Sequence, residues 1–209
     1  MQLILLFFST FFSALIASAP PGLLNMNAAK IGVEKGKANG VIFGLGITTM
    51  VMIQAYISVR IAKYFLKHPD VIALLMQIAV VIFAFLSIFF FLKAKKVKVG
   101  TKEFQTAKKR NSFTKGFFLT ALNLLTVPFY SGLNTVFHSQ GLMNYKVIDE
   151  IVFILGAGLG TFLLMYLYVF YFNKMERKTN RFSKNSNYIL SGLMLLLLII
   201  TLIRIYFYK

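Results

Sequence analysis

Residues 1–29 read MQLILLFFSTFFSALIASAPPGLLNMNAA, twenty-nine positions without a charged side chain, interrupted by Ala19-Pro20-Pro21-Gly22. A helix needs about 20 predominantly apolar residues to cross a bilayer, so the stretch is long enough to span. Its double proline predicts that it does so as a broken helix. Five further uncharged runs follow, at 38–59, 71–92, 116–145, 151–173 and 185–203, none shorter than 19 residues. Over the 209 residues, 58% of side chains are apolar and 14% are charged, with a mean hydropathy of +0.73. A soluble domain carries about 25% charged residues, so a soluble fold is excluded. A large extramembrane catalytic domain is excluded too, because the longest charged connection runs only from Lys93 to Lys115. The expectation is an all-α membrane protein with six transmembrane helices, residues 1–209 forming a single transmembrane domain.

The connections between the six spans alternate from one side of the membrane to the other, and their charges are uneven. Seventeen Lys and Arg fall on one side, in the connections around 30–37, 93–115 and 174–184, against six on the other. Cytoplasmic loops accumulate Lys and Arg, which puts the three richer loops inside and both termini outside. Arg60, Lys63 and Lys67 stand against this assignment. The net charge of +17 follows from the same bias and does not indicate nucleic acid, since no folded domain is available to present a groove. The basic loop 93–115 suits anionic lipid head groups, and as a solvated loop it equally fixes orientation. Ala17-Ser18-Ala19 looks like a cleavage site, but no Lys or Arg precedes the apolar stretch as in a signal peptide. The stretch therefore reads as a retained first span. Cysteine is absent, which removes disulfides, thiolate metal sites and a cysteine nucleophile.

Three spans in each half would place the halves in opposite orientation, as two inverted three-helix repeats of about 1–92 and 116–209. In the first half Ala19-Pro20-Pro21-Gly22 interrupts span one, and span two opens with Gly40, Gly44 and Gly46. In the second half Val127-Pro128 is expected to interrupt span four, and span five opens with Gly156, Gly158 and Gly160. Broken hydrophobic segments at matching places in two halves point to the substrate site of a secondary transporter. The reason is backbone accounting. In lipid every N–H and C=O must find a partner, and proline removes a donor and frees the carbonyl one turn earlier. Freed carbonyls around 16–18 suit an ammonium or a cation, and helix N-termini suit a carboxylate. An amino acid presents both groups. Gly40, Gly44, Gly156 and Gly160 stand at four-residue spacing and are expected to pack spans two and five against the broken helices.

Intramembrane polar groups are the functional candidates because they are costly there. No Asp or Glu lies within any of the six runs, so a mid-span carboxylate relay is not available. Coupling to protons would have to use Glu34, His138 or interfacial charges, although Glu34 also suits a solvated pairing with Lys30 and Lys37. Gln54, mid-way along span two with Thr48 and Thr49, either faces the cavity beneath the broken first span or glues helices together. Asn25, Asn27 and Asn123 adjoin the interruptions and can cap freed backbone or contact substrate. Tyr166, Tyr168 and Tyr171 read as an interfacial belt. With two His and no Cys there is no metal-ligand cluster, and neither a Ser/His/Asp arrangement nor a phosphate-binding loop appears. No cofactor is implied, and the chain does not read as an enzyme. A small bundle with so few charged faces is compatible with a homodimer.

At Pro21-Gly22-Leu23-Leu24-Asn25 the chain resembles the lysine exporter (LysE/RhtB-type) family of amino-acid efflux transporters, whose first span ends in a Pro-Gly-Pro-x-Asn-like element. Gly36 and Gly40 match that family's Gly-x-x-x-Gly pair. Gly116-Phe117 leading to Asn123 matches the opening of its second half, with Leu124 where an Asn-Pro step would carry proline. The resemblance implies export of amino acids or related small zwitterions across the bacterial inner membrane, driven by a proton or ion gradient. Pro21, Gly22, Asn25, Gln54, Asn123 and Pro128 are expected to line the central site. The departures at Leu23 and Leu124 favour the rival reading, a non-transporting scaffold or assembly subunit that keeps the fold.

Overall fold

The computed structural model describes residues 1–20, 22–68, 80–81, 84–85, 87–88, 91–92, 110–123 and 125–207. Every regular element among them is an α-helix: α1 (Gln2–Ser18), α2 (Leu23–Glu34), α3 (Lys37–Lys67), α4 (Arg110–Ala121), α5 (Thr126–Ser139) and α6 (Val147–Phe207). By length and composition α3 and the Val147–Tyr171 part of α6 can each cross a bilayer. The α1–α2 pair, bent by 79°, and the α4–α5 pair, bent by 66°, each pass the same test as one broken span. Of the third run, 71–92, the described positions are helical.

The first interruption lies where Pro20-Pro21-Gly22 predicts it. The second does not. The chain leaves α4 after Ala121 and re-enters a helix at Thr126, so the break is at 122–125 and Pro128 sits in the first turn of α5. There proline is harmless, because the first N–H groups of a helix have no partner within it. The break therefore falls between Ala121 and Thr126, where Asn123 stands, rather than at Val127-Pro128. A second difference concerns 174–184, expected as a connection, where the backbone is helical throughout Val147–Phe207. No Gly or Pro occurs between Gly160 and Gly192, and the Lys, Arg, Met and Glu of this segment are good helix formers.

Two compact units divide the chain, Met1–Tyr64 with Gln105–Glu176, and Phe65–Phe104 with Arg177–Lys209. Each half of the sequence thus gives its broken span and its following span to the first unit, and its last run to the second. In the second unit the described backbone is almost wholly helical. The first unit has a core that includes Leu6, Phe43, Ile47, Tyr130, Phe137, Phe153 and Met165.

Glycines decide how the first unit packs. A Cβ at Gly46 would strike the Phe113 carbonyl, and one at Gly116 the Phe43 carbonyl, so α3 and α4 cross backbone to backbone. Gly156 and Gly160 stand in the same relation to α1, against the carbonyls of Phe7 and Phe11. The unbroken helix of each half therefore packs on the broken helix of the other half. Gly44 and Gly158 instead join α3 to α6, against Met165 and Met52, and Gly40 sits on Gly32 and Val169. Gly40, Gly156 and Gly160 do what their spacing predicts, Gly40 against α2; Gly44 does not, and Gly46 makes the contact with α4. Gly36, at φ 88, makes the turn between α2 and α3 in a backbone region that side-chain-bearing residues avoid.

Candidate functional site

The first break is held shut by side-chain donors. Asn25, in the first turn of α2 and buried, donates from Nδ2 to the carbonyls of Ser18 at 2.7 Å and Pro20 at 2.9 Å. Between them, the Ala19 carbonyl accepts from the Tyr168 hydroxyl at 2.8 Å. Three successive carbonyls left over by the end of α1 are thus each met. Tyr168 is buried, so it is a structural donor and no member of an interfacial belt; Tyr166 and Tyr171 are exposed. Helical spacing alone cannot separate these tyrosines, because the signal is the partner across the bundle. Gly22 is the extended residue preceding α2, and a Cβ there would come no closer than 3.9 Å to the Pro20 carbonyl. Pro21 lies outside the described residues. Asn27 turns back on its own helix, donating to the Leu23 carbonyl at 2.7 Å.

The second break is met from α3. Gln54, 3% exposed, donates from Nε2 to the carbonyls of Thr120 at 3.2 Å and Asn123 at 3.4 Å. One turn on, the Ser58 hydroxyl donates to the Gln54 carbonyl at 2.7 Å and lies 3.0 Å from the Val127 carbonyl. Ser131 closes the set, its hydroxyl 3.4 Å from the Ser58 carbonyl. Of the two roles expected of Gln54, facing the cavity beneath the first break or bonding helices together, the structure shows the second, at the second break, because α3 crosses the broken helix of the other half. Thr48 and Thr49 bond to carbonyls of their own helix at 2.9 Å, the ordinary fate of a hydroxyl in a helix. Asn123 contributes its backbone at the break while its side chain is exposed, and Pro128 is exposed as well. Leu124 lies outside the described residues.

The two breaks differ in what is left over. Gln54 Oε1 is buried and meets no donor among the described residues, whereas the Asn25 amide is not so placed. Asn134, on α5 and fully buried, donates to the Tyr130 carbonyl at 2.9 Å and likewise keeps an amide oxygen without a donor. The composition of the uncharged runs points to Gln54 but gives no reason to prefer Asn134 over other polar residues of its span.

A charged cluster lies at the start of α6. Glu150, its side chain 7% exposed, binds Lys63 Nζ at 2.7 Å and Arg60 Nη2 at 3.3 Å. Two of the cations that stand against the topology are thus paired with a buried acid. Asp149 reaches back to accept from the N–H groups of Asn144 at 3.0 Å and Lys146 at 3.3 Å, capping the start of α6. His138 donates from Nδ1 to the Met143 carbonyl at 2.7 Å; a carbonyl only accepts, which fixes the proton on that nitrogen. Beside it, burial pushes the Tyr145 phenol up to about 12, so it stays neutral. Glu34 pairs with Lys30 at 3.5 Å on an exposed face, while Lys37 sits over the Phe170 ring at 4.7 Å. Among the described residues no group of His, Asp and Glu could hold a metal ion. The basic stretch 93–109 lies outside the described residues.

The LysE type translocator family model matches residues 5–204. Comparisons with curated proteins and with solved structures give no match.

Proposed function

The chain belongs to the LysE type translocator family, and on that premise we propose that it exports amino acids or related small zwitterions as a secondary transporter. The observation that carries the reading is a pair of membrane-apolar helices, each broken, at matching places in the two halves. Irregular backbone at that depth is stable only where it is buried in protein or lines a polar path, and transporters place their sites there. Two inverted three-helix repeats account for the crosswise packing of α3 on α4 and α6 on α1, and for each half giving its last run to the second unit. The excess of seventeen Lys and Arg over six supports termini outside the inner membrane. In the absence of a mid-span acid, a proton gradient acts through Glu34, His138 or interfacial charges, and an ion gradient through the carbonyls and amides of the breaks.

The test is efflux from cells preloaded with a pool of labelled amino acids, with the protein expressed or absent and with a protonophore added. Faster, protonophore-sensitive loss of one or a few amino acids is the expected result. A non-transporting scaffold is the second reading, favoured by the full set of donors on the first break. No change across the pool, together with one stable partner in a pull-down, would support it.

A further inference from the structure

We propose that the second break, and not the first, binds a small monovalent cation, either a sodium ion or the primary ammonium of the substrate, with Gln54 Oε1 as the ligand that receives it. The inference deepens the transport reading and rests on it for the identity of the substrate.

Three observations converge on Gln54. Its amide nitrogen faces the Thr120 and Asn123 carbonyls, which fixes the orientation of the amide, since the reverse would set oxygen against oxygen. The two ends of an amide are one carbon apart, so Oε1 lies beside the same break. There it is buried, in a residue 3% exposed, with no donor among the described residues. A buried acceptor without a donor is costly, and a carbonyl oxygen retains a second lone pair after accepting one bond. The bonds from Nε2, at 3.2 and 3.4 Å, are at or beyond the long end of the range for N–H···O. Among the described residues the Asn123 carbonyl accepts only bonds of 3.4 Å, from Gln54 Nε2 and from the Thr126 N–H, so a cation can draw on it without the loss of a short bond, whereas the Thr120 carbonyl also holds the Asn123 N–H at 2.9 Å.

Charge acts in the same direction. The helix α4 ends at this break, and a helix C-terminus carries about half a negative charge. The start of α5 on the other side of the break carries the opposite partial charge, but the side chain aimed at the break, Gln54, offers only an acceptor there. At the first break the carbonyls of Ser18, Ala19 and Pro20 are taken by Asn25 and Tyr168 at 2.7 to 2.9 Å, and none of these acceptors is left over. The site holds no carboxylate among its described residues, which suits a zwitterion that brings its own anion.

The experiment follows thermal unfolding of the purified full-length chain in detergent, in choline chloride, sodium chloride, ethylammonium chloride or choline acetate at equal ionic strength. The expected result is a midpoint several degrees higher in sodium or ethylammonium than in choline chloride, with acetate without effect. A rise in sodium alone identifies a metal-ion site, and a rise in ethylammonium alone identifies the substrate's ammonium. Gln54→Leu should abolish the rise. Where that variant does not fold, Gln54→Glu serves, because a carboxylate facing two carbonyls needs the cation and should enlarge the rise. No cation-specific rise in the wild type, a rise that Gln54→Leu keeps, a Gln54→Glu response equal to wild type, or an equal effect of acetate overturns the proposal. Efflux measured alongside separates the two readings: cation stabilisation without efflux breaks the transport reading alone, and efflux without cation stabilisation breaks this site alone.

Discussion

The two breaks are the same device finished in two ways. In the first, donors arrive from the break's own helix and from α6, Asn25 and Tyr168 making three bonds of 2.7 to 2.9 Å. In the second, one amide reaches two carbonyls at 3.2 and 3.4 Å and leaves its oxygen buried without a donor. A break whose carbonyls from Ser18 to Pro20 are each held by a short bond is a fixed bend. A break with long bonds and a spare acceptor is one that a ligand can complete. Symmetry of sequence pattern therefore does not imply symmetry of role.

The largest effect tests the packing that puts Gln54 at the second break. Gly116→Val drives side-chain atoms into the Phe43 carbonyl, a backbone contact that cannot yield without parting α3 from α4. Overpacking of this kind costs about 3 kcal/mol or more, and the variant should leave no monodisperse peak on size exclusion. A well-folded variant would mean that the helices do not cross there. Next is Asn25→Leu, which removes the donor from the part-buried carbonyls of Ser18 and Pro20 at about 1 kcal/mol for each bond lost; its thermal midpoint should fall clearly below wild type. Asn25→Asp should do no better, because a carboxylate faces only oxygens at the first break, whereas Gln54→Glu at the second should be rescued by the cation. Equal rescue of both by the same salt would erase the distinction between the breaks.

Smaller still is Tyr168→Phe, which removes one bond, the one to the Ala19 carbonyl. A loss of about 1 kcal/mol is expected, read as a modest fall in midpoint with efflux retained; unchanged stability would show that the hydroxyl is idle. Least of all is Gly22→Ala. Nothing lies closer than 3.9 Å to the added carbon and the backbone there is extended, so stability should stay within about 0.5 kcal/mol of wild type. A clear loss would mean that this glycine is needed for motion or for substrate, and the first break would regain a functional part.

Much of the fold and part of the site are legible in the chain. Charge-free runs set the membrane class, and Pro20-Pro21-Gly22 locates the first break to the residue. Asn25 reads either as a cap on freed backbone or as a substrate contact, and the structure shows the cap. Pro128 misleads, because a proline in the first turn of a helix and one that breaks a helix look the same in sequence. The buried Glu150 with Arg60 and Lys63 is not legible, because all the acids stand outside the uncharged runs and this meeting depends on which helix brings its cations to the start of α6.

Local chemistry settles which segments are too apolar for water, which carry the positive charge, and where the double proline stops α1. These are properties of a residue and its neighbours in the chain, and no partner is needed to state them. The tertiary structure alone decides that Gln54 serves the second break, that Tyr168 is a donor and that Gly46 meets α4. Each depends on which helix crosses which, and that is set by the fit of glycine notches to backbones far away in the chain.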